Sequence, residues 1–110
     1  MIQAVETEGG PHTNLADGPV ILPGFIDTHV HGGGGFDTMD GASAVIQLAR
    51  HHLAHGTTTL YPTTLTAPIP DVLSALRGVK SARADAEGTE PAHPSLPGAH
   101  LEGPVISPDR

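Results

Sequence analysis

Residues 23–35 have the sequence PGFIDTHVHGGGG, in which a largely apolar run leads to two histidines one residue apart and then to four glycines. The Pro-Gly pair interrupts the apolar run, so we expect a β-strand that begins near Phe25 and ends at the glycines. In a strand, side chains two residues apart project from the same face, so His29 and His31 would direct two imidazoles at one point. This stretch therefore predicts a strand whose end is able to chelate a metal ion.

The rest of the chain alternates between helix and strand patterns. In chain order, the predicted elements are a helix over residues 43–56 capped by Asp40 or Ser43, a strand from Thr57, a helix from Asp71, and, within residues 99–106, a short strand that runs into Gly103 and Pro104. Strands separated by helical crossovers are typical of parallel βαβ units, so we predict an α/β fold. Sites in such folds lie at the carboxyl ends of the strands, which is where His29, His31 and Glu102 fall.

Each predicted helix has an apolar face with a period near that of the α-helix. The face of the first helix comprises Val45, Ile46, Leu48, Ala49 and Leu53, and Gly56 stands at its stop. The face of the second helix comprises Val72, Leu73, Leu76 and Val79. We expect both helices to pack outside the sheet.

Length and composition limit the possible classes of protein. The chain has 110 residues and a formal net charge of −7, with scattered acidic residues, which argues against a nucleic acid or an anionic membrane as partner. It has no cysteine, which excludes disulfides and thiolate metal sites, and no apolar run long enough for a membrane span. Residues 1–18 lack the pattern of a signal peptide. We therefore expect a cytoplasmic protein.

Glu102 adds a carboxylate to the two histidines, because it lies at the end of the last predicted strand. Imidazole suits zinc, iron, nickel and cobalt, and a carboxylate can bind or bridge such cations. Thr28 and Val30 are expected to face away from His29 and His31 in the first strand. The alternative is that all three candidates are only polar side chains at strand ends and beside a turn.

The run PGFIDTHVH at the end of a first parallel strand resembles the opening motif of the amidohydrolase superfamily, whose members are distorted (β/α)8 barrels with one or two divalent metals in the barrel mouth. Together with HGGGGFDTMDG, HGTTTLYPTTLT and HLEGP, it closely resembles one family within that superfamily, the N-acetylglucosamine-6-phosphate deacetylases. These blocks cover residues 20–67 and 98–110 and follow the order and approximate spacing of that family.

The resemblance implies a partial (β/α)8 metal-dependent hydrolase barrel that contains only the first three strands and two helices. A closed barrel needs roughly 200 residues or more, so the chain is expected to be an N-terminal fragment. In this interpretation residues 20–110 are the N-terminal part of the barrel. Residues 1–19 are a loose segment, the remnant of a small β domain.

The resemblance also implies the chemistry of the complete enzyme. Glu102 matches the metal-binding glutamate of the family, and His29 and His31 match the pair able to hold a second metal, with zinc expected and iron, cobalt or nickel as alternatives. The enzyme, a homo-oligomer, would hydrolyse the small-molecule sugar phosphate N-acetylglucosamine 6-phosphate to glucosamine 6-phosphate and acetate. The aspartate that acts as acid and base would lie beyond Arg110. We therefore expect no catalytic residue in this chain, and its substrate-binding residues are not identified.

The remaining histidines are weaker candidates for metal binding. His100 would share a face with Glu102, so it is either a further ligand or a group that supports the ligands. The others lie in a predicted helix or in predicted loops and are not expected to bind the metal: His12, His51, His52, His55 and His93.

The glycines of residues 32–35 lack the lysine and the spacing of phosphate-binding loops. Because glycine has no side chain, we expect them instead to let the backbone pass close to the metal and the substrate. The threonines of residues 57–59 are expected to build a strand rather than to bind substrate.

Two other interpretations remain open. Among enzymes, the chain could belong to another amidohydrolase that acts on a cyclic amide or an N-acyl compound, although HLEGP replaces the modified lysine that many of these use. Outside the enzymes, it could be a non-catalytic truncated product. By itself, the chain of 110 residues is expected to be inactive.

Overall fold

The computed structural model describes residues 22–86 and 92–106, and these form an α/β structure in which two helices pack on parallel strands. In chain order its elements are β1 (Phe25–Val30), β2 (Gly32–Gly33), β3 (Phe36–Asp37), a 3-10 turn (Thr38–Asp40), α1 (Ala42–Leu53), β4 (Thr57–Pro62) and α2 (Ile69–Ala86). The predicted alternation of strands and helices is confirmed. The segment predicted over residues 1–19 lies outside the described residues.

The sheet is parallel, as the lengths of the crossovers indicate. β1 pairs with β4, and the segment after α2 runs parallel beside β4, where Ser95 bridges Thr59 and His100 bridges Thr63. The strand predicted over residues 99–106 is thus a third parallel segment that pairs through isolated bridges. Several prolines in this segment have no N–H to donate, which prevents a continuous ladder.

β1 departs from a regular strand near its end. Its pairing with β4 shifts register between Asp27 and Val30, an irregularity of the β-bulge kind. Thr28 is exposed, whereas Val30 is buried in the core. The expectation that these two side chains share a face is therefore wrong, because a bulge interrupts the alternation on which that expectation depends.

The core lies between the strands and the two helices. Leu48 of α1 and Leu60 of β4 are fully buried at its centre. Burial of a leucine side chain contributes about 1.5–3 kcal/mol relative to leaving it exposed, so these residues hold α1 on the strands. The other buried members of the core come from strands, helices and the last segment: Val30, Val45, Ala49, Val79, Ala82 and Leu96.

The first predicted helix is confirmed as α1, but its start differs from the prediction. Neither Asp40 nor Ser43 caps it; its N-cap residue is Gly41, which makes no side-chain hydrogen bond. Asp37 instead caps the 3-10 turn before α1, where its Oδ1 accepts a backbone N–H at 2.8 Å. The prediction of the cap was wrong because Asp40 belongs to a separate 3-10 turn and Ser43 already lies inside α1.

α2 packs on α1 through small side chains. Its buried face comprises Val72, Ala75, Val79 and Ala82, whereas Leu73, predicted to be buried, is 44% exposed. A Cβ added at Gly78 would lie 2.9 Å from the Cα of Gly41, so the two backbones approach closely here. Large leucines do not fit such a contact, which explains why the alanine face is the one turned inward.

The opposite face of the sheet is open. Ile26 is 67% exposed and Leu101 is 51% exposed, and they line one pocket with Tyr61. In a (β/α)8 barrel the inward faces of the strands pack against each other in layers. The described residues therefore form part of a barrel wall.

Neither helix in this part of the chain combines the length and the apolar composition that a membrane crossing requires.

Candidate metal centre

Glu102, His29 and His31 come together at the carboxyl ends of the parallel strands. Nε2 of His29 lies 2.9 Å from Oε2 of Glu102, and Nε2 of His31 lies 3.3 Å from the same oxygen. The two Nε2 atoms are 3.3 Å apart. The expected convergence of these side chains is therefore observed, whereas their role as metal ligands stays a prediction.

The spacing of these donor atoms fits a divalent cation. Zinc bonds to nitrogen and carboxylate oxygen are about 2.0–2.2 Å long, so two ligands of a tetrahedral zinc lie about 3.3–3.6 Å apart. The two separations of 3.3 Å agree with this value, and the separation of 2.9 Å is that of a hydrogen bond. Imidazole with carboxylate is also a donor set that zinc, iron, cobalt and nickel accept.

The ring of His31 is oriented by a backbone carbonyl. Its Nδ1 lies 3.3 Å from the carbonyl oxygen of Thr63, and since a carbonyl only accepts, Nδ1 carries a proton and donates. In the neutral ring this leaves the Nε2 lone pair free, directed at Glu102. A metal-binding histidine normally has such a partner for its other nitrogen.

Two threonines directly after β4 support the site, and the sequence analysis missed them. Thr63 and Thr64 are fully buried. Thr63 Oγ1 accepts the backbone N–H of Val30 at 2.9 Å and donates to the Tyr61 carbonyl at 3.1 Å. Their type alone gave no signal, but their position did, because they follow a strand at the same edge as the candidate ligands.

Thr64 holds the backbone of Glu102 at both of its polar groups. The Glu102 N–H donates to Thr64 Oγ1 at 3.1 Å, and that hydroxyl donates to the Glu102 carbonyl at 3.3 Å. The next peptide bond, between Gly103 and Pro104, is cis. The carboxylate therefore projects from a backbone fixed by a buried side chain rather than from a free loop.

The three candidate ligands are open to solvent. The side chains of His29 and Glu102 are 48% and 37% exposed. Ion pairs between groups this exposed contribute about 0–1 kcal/mol to stability. Fold stability therefore does not account for the cluster.

His100 packs against the ring of His29. The ring centroids are 4.5 Å apart at 60°, and Nδ1 of His100 donates to the Thr28 carbonyl at 2.8 Å. The group of donor atoms within 4.8 Å of one another in the described residues comprises His29, His31 and Glu102. Of the two roles expected for His100, its contacts favour support of a ligand.

The other histidines lie apart from this group. His51, His52 and His55 contact one another at the end of α1, with ring centroids 5.5 Å apart for the first two. Nδ1 of His93 lies 2.8 Å from the Pro94 carbonyl, and His12 falls outside the described residues. The glycines of residues 32–35 form β2 and the turn of a small hairpin with β3, which the sequence analysis did not predict.

Parallel strands with histidines and a glutamate together at their carboxyl ends are the arrangement of an α/β barrel unit, and this group of side chains could hold a metal ion. The family model described as the amidohydrolase family matches residues 20–110, so this chain belongs to that family. The family implies a divalent metal, and the expected partial α/β barrel is confirmed.

Known proteins similar to the chain are sugar-phosphate deacetylases. The chain is 40% identical over 92 residues to N-acetylglucosamine-6-phosphate deacetylase of Bacillus subtilis, a match that covers 83% of the chain and 23% of that protein. It is 41% identical over 93 residues to N-acetylgalactosamine-6-phosphate deacetylase of Escherichia coli O157:H7, covering 84% and 24% respectively. The chain thus spans about a quarter of the length of these curated relatives.

Solved structures lead to the same family. The crystal structure of N-acetylglucosamine-6-phosphate deacetylase from Thermotoga maritima matches with a TM-score of 0.67 at 33% identity, over 80% of this chain and 22% of that one. A mutant of the Mycobacterium smegmatis enzyme in complex with N-acetyl-D-glucosamine-6-phosphate matches with a TM-score of 0.63 at 38% identity, over 78% and 21%.

Proposed function

We propose that this chain supplies part of the metal centre of a deacetylase that hydrolyses N-acetylglucosamine 6-phosphate to glucosamine 6-phosphate and acetate. The observation that carries the proposal is the approach of His29, His31 and Glu102 to one another at the carboxyl ends of parallel strands. Relatives that carry the name of this activity support the choice of substrate.

In this proposal the residues of the chain bind and orient. Glu102 provides a negative charge that attracts the cation, and His31 presents a nitrogen whose direction is set through Thr63. When bound, a divalent cation would supply Lewis acidity, which polarises an amide carbonyl and makes water a better nucleophile at neutral pH. Zinc is the favoured ion, with iron, cobalt or nickel as alternatives.

The proton-transfer step is not assigned to the described residues. Hydrolysis of an amide requires an acid that protonates the leaving amine. We expect an aspartate from another part of the complete enzyme to take this role, with residues 20–110 as the N-terminal part of the barrel and residues 1–19 as the remnant of a small β domain. A homo-oligomeric state and a cytoplasmic location stay predictions.

N-acetylgalactosamine 6-phosphate is the second candidate substrate. Relatives with that specificity are as similar to the chain as those named for the glucosamine substrate, at 41% against 40% identity. The two substrates differ only in the configuration of one hydroxyl group. Acetate release from each, measured side by side at equal concentration, decides between them.

Replacing Glu102 tests the proposal in the full-length protein. Glu102→Gln keeps the shape of the side chain and removes its charge, so we expect most bound metal and most acetate release to be lost. Asp71→Asn is a matched control, because Asp71 is an exposed carboxylate in the first turn of α2 and lies outside the group of His29, His31 and Glu102. Elemental analysis that finds undiminished metal in Glu102→Gln would refute the assignment.

A further inference from the structure

The glycine hairpin, residues 32–37, begins directly after His31 and has no side chain in its first four positions. Gly32 pairs with Asp37 across it, and the Thr38 N–H donates to the His31 carbonyl at 2.8 Å. Glycine loses more backbone freedom on ordering than any other residue, so a run of glycines next to a candidate ligand needs contacts from outside to hold it.

One of these contacts comes from α1. Nε2 of His52 lies 3.1 Å from the carbonyl oxygen of Gly32. A carbonyl only accepts hydrogen bonds, so His52 carries a proton on Nε2 and donates this bond. His52 is half-buried in the last turn of α1. The donor is therefore fixed by a packed helix rather than by a loop.

The glycines allow the hairpin to lie directly on the histidine rings of α1. A Cβ added at Gly33 would lie 2.6 Å from Nε2 of His52. A Cβ added at Gly34 would lie 3.0 Å from the ring of His51, at a φ of 62° that side chains rarely adopt. A side chain at either position would push the hairpin away from the helix and lengthen the hydrogen bond to Gly32.

We propose that His52 is a positioning residue for the candidate metal ligand His31 and acts through the carbonyl of Gly32. The proposal rests on the proposed function, because it concerns the same metal site. Thr63 fixes Nδ1 of the His31 ring, and His52 fixes the residue that follows His31 in the chain. Together these two contacts set the direction of the free ring nitrogen.

The test compares His52→Gln with His52→Asn in the full-length protein. A glutamine amide can place an N–H where Nε2 of histidine lies, whereas an asparagine amide is too short to reach the Gly32 carbonyl. The two side chains have the same chemistry and differ in reach. Gln47→Asn is the control. It replaces glutamine by asparagine at an exposed position of the same helix and so measures what the shorter amide does to the helix away from the hairpin.

We expect His52→Asn to raise the zinc Kd about 10-fold, at the lower end of the effects of residues that orient metal ligands. His52→Gln should keep a zinc Kd close to that of the wild type. The thermal midpoint of the metal-free protein should fall more in His52→Asn than in Gln47→Asn, because the bond to Gly32 is lost, so zinc Kd values are compared at a temperature at which every variant is folded. Equal zinc Kd values in the two His52 variants would overturn the proposal.

The same zinc titrations separate this proposal from the proposed function. If zinc binds through Glu102 but no acetate is released, only the proposed function is overturned. The role of His52 is then still tested by the zinc Kd values of its two variants. Zinc binding that is unaffected by Glu102→Gln would overturn both proposals.

Discussion

At the scale of single residues, the candidate site combines donors from distant parts of the chain. His29 lies in β1 and His31 directly follows it, whereas Glu102 lies in the segment after α2. In the sheet, β4 lies between β1 and that last segment. The three donors meet only when the strands are paired. Metal binding and formation of the sheet are therefore expected to stabilise each other.

The sequence predicts His29, His31 and Glu102 because two simple rules place them. One is the two-residue period of a strand, which predicts the observed approach of His29 and His31 although the bulge breaks it for Thr28 and Val30. The other is the location of sites at carboxyl strand ends. Thr63 and the bulge in β1 could not be predicted in the same way. A buried hydroxyl that bonds a neighbouring strand depends on tertiary contacts, which local sequence patterns do not contain.

Replacing Thr63 by valine should destabilise the full-length protein. The change keeps the size of the side chain and leaves the buried N–H of Val30 without its partner, which costs about 1–3 kcal/mol. Urea unfolding measures the loss. Thr63→Ser keeps the hydroxyl and is the matched control. Equal stability of the valine variant and the wild type would show that this hydrogen bond contributes nothing.

At the scale of the elements, α2 shows how far a helical period alone predicts packing. The period near 3.6 residues correctly predicted a helix with Val72 and Val79 inside. It did not distinguish the leucines from the alanines that flank these valines. That choice depends on how closely α1 and α2 approach, and the sequence of one helix does not contain this distance.

Gly78→Ala tests the close approach of the helices. In an exposed helix interior this change stabilises by about 1 kcal/mol, because alanine is the better helix former. Here the new Cβ would lie 2.9 Å from the Cα of Gly41 and 3.0 Å from the backbone nitrogen of Ala42. We therefore expect a lower thermal midpoint in the full-length protein.

Ser81→Ala on an exposed position of α2 is the control, and it should raise the midpoint slightly. A midpoint for Gly78→Ala that rises as in the control would contradict the packing described for α1 and α2.

At the scale of the whole molecule, the sheet is covered by helices on one face and open on the other. The alternation of patterns is sufficient to predict parallel strands with helical crossovers. It did not predict that Ile26 and Leu101 are exposed, because the sequence of a strand does not show which of its two faces is packed. Large exposed apolar patches of this kind are unusual for a stable, isolated domain.

Residues 1–110 expressed alone should have no measurable deacetylase activity and should unfold without a sharp transition. The absence of the expected acid/base aspartate alone removes about 100-fold to 10,000-fold in rate. Unpaired strand edges and the open apolar face favour aggregation. The measurements are acetate release with added zinc and thermal unfolding. Turnover above a control with zinc alone, together with a cooperative transition, would show a self-sufficient domain.

The most direct test of the metal centre is the position of zinc in crystals of the full-length protein. Anomalous diffraction at the zinc absorption edge locates the ion independently of its surroundings. We predict a peak about 2.0–2.2 Å from Nε2 of His29, Nε2 of His31 and a carboxylate oxygen of Glu102. A fully loaded, active crystal in which zinc lies elsewhere and these three side chains contact only water would contradict the account.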